Sequence, residues 1–213
     1  MIEHVYDTSN VLTTFTASTP VKDEPKYEPY SLISKDTFEL NYGTAPFNFD
    51  NFDVDPEEFA SRLIETAKRN NAFAVAGNQC GLPYRVFVMG VDEFVAFFNP
   101  KIITSSKAMM IFPEVDLLDR TLMLKVKRPK SIHLEYQDFN GETHVKEFVG
   151  MTANIIQHNI DRLDGVPFEA SVSSLKLERS KKAQDKRNKK LVRTLMRQIA
   201  FKPDTTHTEN ANN

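Results

Sequence analysis

Between Ala153 and Leu163 the apolar residues Ala153, Ile156, Ile160 and Leu163 recur at steps of three and four, the period of a helix that buries one face. Thr152 stands where an N-cap belongs, and Gly165 follows the last periodic residue as a stop. A second helix is predicted from Asp55-Pro56-Glu57-Glu58, with Asp55 as cap, Pro56 in the first turn and acids at the positive end of the dipole. Its buried stripe is Phe59, Leu63 and Ala67, and Arg69-Asn70-Asn71 closes it.

Strands are predicted at 86–90 and 94–98, the second ended by Asn99-Pro100, with pairing open to resume at 101–103. Residues 122–129 lead to 131–136, which alternate apolar and polar as a half-buried strand does. Asp138-Phe139-Asn140-Gly141 is a hairpin turn because Asn-Gly tolerates positive φ, and 143–149 is the returning strand. It delivers the chain into the helix that carries His158. Antiparallel strands around a buried helix make an α+β domain. A polar helix of strong formers is predicted from 175 to 200.

The ends differ from this middle. Residues 1–44 lack sustained periodicity and are expected to form an N-terminal arm, with Tyr27, Tyr30, Leu32, Ile33 and Phe38 adding short strands or packing on the domain. The domain itself is expected over 45–170, a basic helix over 171–202, and a disordered Thr/Asn-rich tail over 203–213.

Charge changes the picture at one place. The net charge is only −2, but 176–197 holds ten Lys/Arg against two acids, a balance of +8 that leaves −10 on the remainder. Such segregation points to a segment that meets something anionic. The residues concerned are Lys176, Arg179, Lys181, Lys182, Lys186, Arg187, Lys189, Lys190, Arg193 and Arg197. No apolar run reaches the roughly 18–20 residues of a membrane span. The start Met-Ile-Glu-His-Val-Tyr-Asp has no basic or apolar region of a secretory signal. The single cysteine, Cys80, excludes an internal disulfide and a cysteine-cluster zinc site, and it suits a reducing compartment. Cys80 is expected to be a small buried hydrophobe, and Met109, Met110 and Met123 are expected to pack.

Candidate chemistry sits on the central helix. His158 and Arg162 stand four apart and share a face. That is the spacing by which a His-Glu-x-x-His helix offers two imidazoles to one metal, with the Glu over bound water. Here Asn159 holds the Glu position and Arg162 the second His position.

Three stretches, in order, resemble the peptide deformylase family. Its motif Gly-x-Gly-hydrophobic-Ala-Ala-x-Gln corresponds to Ala72-Phe73-Ala74-Val75-Ala76-Gly77-Asn78-Gln79, where Gln79 matches and alanines replace both glycines. Its motif Glu-Gly-Cys-Leu-Ser falls on Glu114-Val115-Asp116-Leu117-Leu118, with Asp116 in the place of Cys. Its motif Gln-His-Glu-x-Asp-His-Leu-x-Gly falls on the segment from Gln157 to Gly165, where Gln157, His158, Asp161, Leu163 and Gly165 match. The run from Asn78 to Phe87 and the basic tail look most like bacteriophage-encoded members.

The resemblance implies an α+β fold of antiparallel strands around a central helix, with a C-terminal basic helix. It implies a pocket formed by Gln79, Asp116, His158, Asn159 and Arg162 in which no catalytic set is intact. In the family a Cys and two His hold one divalent metal, and a Glu takes the proton from its water. Arg162 cannot ligate, Asn159 has no basic site, and Asp116 replaces a thiolate by a carboxylate. No metal is therefore expected; if one Fe or Zn ion is held, Asp116 and His158 are its donors. An Asp116–Arg162 ion pair is expected in the metal's place, and Gln79 is expected to bond nearby backbone.

On these grounds the expectation is a catalytically inactive binding or assembly module, either ribosome-associated through rRNA phosphates or part of a phage virion or tail through viral structural proteins. The alternative is an active deformylase, removing formyl from N-formylmethionyl peptides at a non-standard metal site. The expected location is the host cytoplasm or a virion, with no membrane partner.

Overall fold

Asp55 opens the first helix as its chemistry dictates: its carboxylate accepts the Glu58 amide at 2.8 Å, and Pro56 occupies a position where no amide is needed. The helix is α1, Pro56–Arg69. The computed structural model describes residues 26–51 and 54–200, the side chains of 198–200 excepted.

Seven strands follow in chain order: β1 (Ala74–Ala76), β2 (Val86–Gly90), β3 (Phe94–Ser105), β4 (Met109–Asp116), β5 (Asp119–Pro129), β6 (Ser131–Gln137) and β7 (Thr143–Val149). Five of them form an antiparallel sheet in the order β1-β2-β3-β6-β7, and β4 and β5 form a separate hairpin. Helices α2 (Gly150–Leu163) and α3 (Ser174–Ala200) are the last helices among the described residues.

The two-residue period of the strands decides what covers each face of the large sheet. Val86, Val88, Ala96 and Phe98 point to one side, where they pack with Phe59, Leu63 and Ala67 of α1 and with Phe47. Phe87, Phe97, Ile132, Leu134 and Tyr136 point to the other, where they meet Ala153, Ile156, Ile160 and Leu163 of α2. The stripe that marks α2 in the sequence is thus its sheet-facing side. Its opposite side carries Asn154, His158, Asp161 and Arg162, which meet the β4–β5 hairpin. Helix α2 is clamped between the two sheets, and the polar clamp holds the candidate chemistry.

Some boundaries differ from expectation. Thr152 lies inside α2 and is not its cap; β7 runs directly into the helix through Gly150, whose φ of +65° makes the corner. Asn99 does not end its strand, because it adopts φ +50° and its side chain bonds the Phe47 amide at 2.7 Å, the Phe47 carbonyl at 3.0 Å and Gln137 at 2.8 Å. β3 therefore continues through a bulge to Ser105. The hairpin turn is present, with Gly141 at φ +81°.

The described part of the arm packs without forming a named strand. Tyr30 and Leu32 lie against the α1 cluster, and the Ile33 amide donates to the Gln79 carbonyl at 3.0 Å. Residues 38–41 form a short 3-10 helix. The expectations for 1–25 and for the tail from 203 lie outside the described residues. Among the described residues no helix is long and apolar enough to cross a membrane.

Candidate active site

β4 turns Glu114 and Asp116 inward, and β5 turns Leu122, Leu124, Val126 and Arg128 inward. The carboxylates and Arg128 therefore face the polar side of α2. Arg128 donates from Nε to Glu114 Oε1 at 2.7 Å and from Nη2 to Oε2 at 3.0 Å, and its Nη1 reaches Asp161 at 2.7 Å. Asn154 donates to Glu114 at 2.7 Å. His158 Nδ1 lies 3.1 Å from Glu114, and its Nε2 lies 3.4 Å from Asp116. Arg162 closes the series, donating to Asp116 Oδ2 from Nε at 2.6 Å, with its Nη2 in ion-pair contact with the same oxygen at 2.5 Å.

The result is a ladder of alternating sign: Asp161, Arg128, Glu114, His158, Asp116, Arg162. Burial would raise the pKa of Glu114, but hydrogen bonds from His158, Arg128 and Asn154 hold it at about 2. Asp116 is likewise held below the ordinary range: burial opposes this, and His158, Arg162 and the Leu118 amide outweigh it. Burial pulls the His158 pKa down, but its bonds to Asp116 and Glu114 raise it on balance. A protonated His158 makes the ladder neutral, with three negative and three positive groups.

The ion pair expected between Asp116 and Arg162 is present, and it decides how the centre suits the family's metal. Three donors are required, and the three aligned positions offer a carboxylate, an imidazole and a guanidinium. Arg162 already occupies the carboxylate oxygen nearest His158, so a cation there would sit against a fixed positive charge. The residues present do not suit a divalent ion. Among the described residues, one other group, Asp138, Glu142 and His144, brings ligand atoms within 4.8 Å of one another. It serves the β6–β7 turn, where Asp138 accepts the Asn140 and Glu142 amides and pairs with His144 at 2.9 Å.

A cavity of about 420 Å³ opens beside the ladder. One wall is Asn71, Ala72, Phe73 and Ala74, and the other runs from Phe112 to Leu117 on β4. Met151, Asn154, Ile155, His158 and Asn159 of α2 form its floor, with Gln79 at one end and Arg120 also lining it. A second cavity of about 310 Å³ adjoins Asp116 and is lined by Arg162, Lys35, Asp119 and Glu169. Asp116 thus borders both.

The other expected residues take structural places. Gln79 Oε1 accepts the Ala76 amide at 3.0 Å. Asn159 donates to the Ile155 carbonyl at 2.8 Å. Cys80 is part-buried, and burial pushes its thiol up to about 12. Met109 and Met123 are exposed at 44% each, against the expectation that they pack. The basic residues of 176–197 lie on α3. Its Leu177 packs near Leu122, Leu124, Val126 and Phe168, and from 185 to 197 every residue is exposed.

The sequence reading missed Arg128 and the role of Glu114. The parity of β5 carries a signal for the first, since Arg128 shares the inward register of Leu122, Leu124 and Val126.

Comparison with known proteins places this geometry. A model of the polypeptide deformylase family matches residues 37–178. A peptide deformylase of Rhizobium meliloti is 32% identical over 130 residues, covering 58% of this chain and 75% of its own. One from Maricaulis maris is 33% identical over 137 residues, covering 62% and 79%. The crystal structure of the Thermotoga maritima peptide deformylase superposes with a TM-score of 0.65 at 27% identity, covering 69% of this chain and 99% of that one.

These relatives correct the expectation of a catalytically inactive binding or assembly module. They carry the name of an enzyme and match across most of their length, which favours the alternative of an active deformylase. The inactive reading rested on the altered positions Asp116, Asn159 and Arg162, whereas the family match runs over residues 37–178. With that match running from the arm into α3, the chain belongs to the peptide deformylase family.

Proposed function

We propose that this chain removes the formyl group from the amino end of a peptide, at a centre built from Asp116 and His158 with Arg162 behind them. The observation that carries this is the cavity between β1 and β4. β1 is the edge of its sheet and β4 pairs with β5 alone, so an extended peptide can add to either free edge. The apolar side chains of Phe73, Val115, Met151 and Ile155 suit an apolar first residue, and His158 and Asp116 lie where its amino end would stop. The names of the relatives support the choice of reaction.

In the reaction, water adds to the formyl carbon, the C–N bond breaks, and the proton from water ends on the leaving amine. The products are formate and a free amino terminus. Asp116 takes the proton of the attacking water, and the His158 Nε2–H stabilises the developing oxyanion. His158 is free to do so because its 3.4 Å contact with Asp116 is longer than the other contacts of the ladder. Arg162 holds Asp116 ionised from the adjoining cavity. A carboxylate held so firmly is a weak base, so turnover is slow. No step passes through a metal ion, because the donor set does not suit one.

The test is formate release from a formyl-methionyl peptide, with and without a chelator. Slow release that survives chelation and is lost in Asp116→Asn is the expected result. Release no faster than in buffer, or release abolished by the chelator and restored by Fe or Zn, would overturn the proposal.

The basic α3 calls for a partner, and we propose an anionic one such as rRNA. The support is its charge balance together with its exposure from 185 onward.

A further inference from the structure

The charges that line the peptide cavity do not all cancel. Glu114, Asp116 and His158 are tied to one another and to Arg128 and Arg162 in the buried ladder. Arg120 is the remaining charged side chain of the lining, and it has no carboxylate partner among the described residues. It is exposed, and one Nη2–H donates to the Asn70 carbonyl. A guanidinium offers five donors, so most of its capacity faces solvent at the cavity.

Its position relative to a bound peptide follows from the strand directions. From Gln79 the wall runs back through β1 to Ala74 and on through Phe73, Ala72 and Asn71, which link β1 to the end of α1. Asn70, the residue that Arg120 holds, is next. A peptide whose amino end lies at Asp116 and His158 and which pairs antiparallel with β1 travels the same way. An extended peptide advances roughly 3.3 Å per residue, so its third or fourth residue comes beside the guanidinium at the Asn70 end of the wall.

We infer that Arg120 selects peptides bearing a carboxylate about three residues from the amino end, supplied by an acidic side chain or by the C-terminus of a short peptide. Arg suits this task because its planar fork binds a carboxylate through two parallel hydrogen bonds. This rests on the proposed deformylase reading, since the peptide must lie with its amino end at Asp116. The contact is solvent-exposed, so its worth is modest and falls with salt.

The experiment measures dissociation constants at low salt for three amidated peptides, formyl-Met-Ala-Asp, formyl-Met-Ala-Asn and formyl-Met-Ala-Lys, and for formyl-Met-Ala-Ser as amide and as free acid. The full chain is compared with Arg120→Gln and Arg120→Glu, each checked for native circular dichroism. The expected result is an Asp-over-Asn preference of about two- to fivefold. That ratio collapses to about one in Arg120→Gln, and Arg120→Glu prefers Lys. A free-acid preference for the Ser peptide that shows the same dependence identifies the C-terminal carboxylate as a source; its absence leaves the side chain alone. Ratios identical in all three proteins, with formate still released, overturn this inference and spare the deformylase reading. Failure of every peptide to bind overturns both.

Discussion

Asp116 is 1% exposed and receives a hydrogen bond and a second ion-pair contact from the Arg162 guanidinium, one imidazole contact and the Leu118 amide. A carboxylate buried so completely is tolerated because both of its oxygens have donors: Oδ2 meets Arg162 and His158, and Oδ1 accepts the Leu118 amide. Glu114 is similarly enclosed, and its pKa of about 2 against an unperturbed 4.5 couples the ladder to acid stability. The folded state binds its proton less readily than the unfolded chain. Its contribution, on the order of 3 kcal/mol, is therefore complete above pH 4.5 and lost as the pH falls towards 2. Denaturant titrations at pH 6 and pH 3 should show this loss, and Glu114→Gln should show a smaller one; equal losses would contradict it. Little of this was legible residue by residue. Motif positions identified Asp116, His158 and Arg162, and the chemistry of arginine against carboxylate predicted their pairing. Arg128 and Asn154 contact Glu114 across 14 and 40 residues of chain, a relation that periodicity does not encode.

At the scale of elements, the apolar stripes of α1 and α2 and the alternation of β6 were readable because their buried sides are hydrophobic, and β7 was readable from the Asn140-Gly141 turn before it. β4 was not. Its inward residues near the centre are Glu114 and Asp116, so its pattern runs opposite to that of an ordinary half-buried strand, and Pro113 within it reads against a strand. The stop of α2 was readable because Gly165 is there for a steric reason. It has φ +73°, and a Cβ would meet the Tyr42 backbone at 2.5 Å. Gly165→Ala should consequently cost more than the roughly 1 kcal/mol of an incompatible backbone alone, because the 3-10 segment must also shift. Thermal melts measure this directly, and a variant as stable as the parent would show that the approach of 38–41 to the end of α2 is not as described.

The whole molecule divides its charge between a body and a projecting helix. Among the described residues the first part of α3 is anchored, by Leu177 and by the 2.5 Å bond from Gln184 to Thr121, and 185–197 are exposed. Lys186, Lys190 and Arg193 share a face beyond that anchor. If that face meets rRNA, binding should weaken about tenfold or more between 50 and 200 mM salt. Replacing those three residues by Glu should abolish it without disturbing the core. Sedimentation with purified rRNA reads both outcomes, and pelleting that ignores salt and charge reversal would exclude the contact. The sequence announced the basic segment plainly, but only the structure shows which part of it is free.

The alternating ladder also constrains how this centre can change. Installing an imidazole at 162 alone leaves Asp116 with only His158 and the Leu118 amide, and installing a thiol at 116 alone strands the guanidinium, each at a cost in stability. Exchanging this pair for metal donors therefore calls for replacing both residues together.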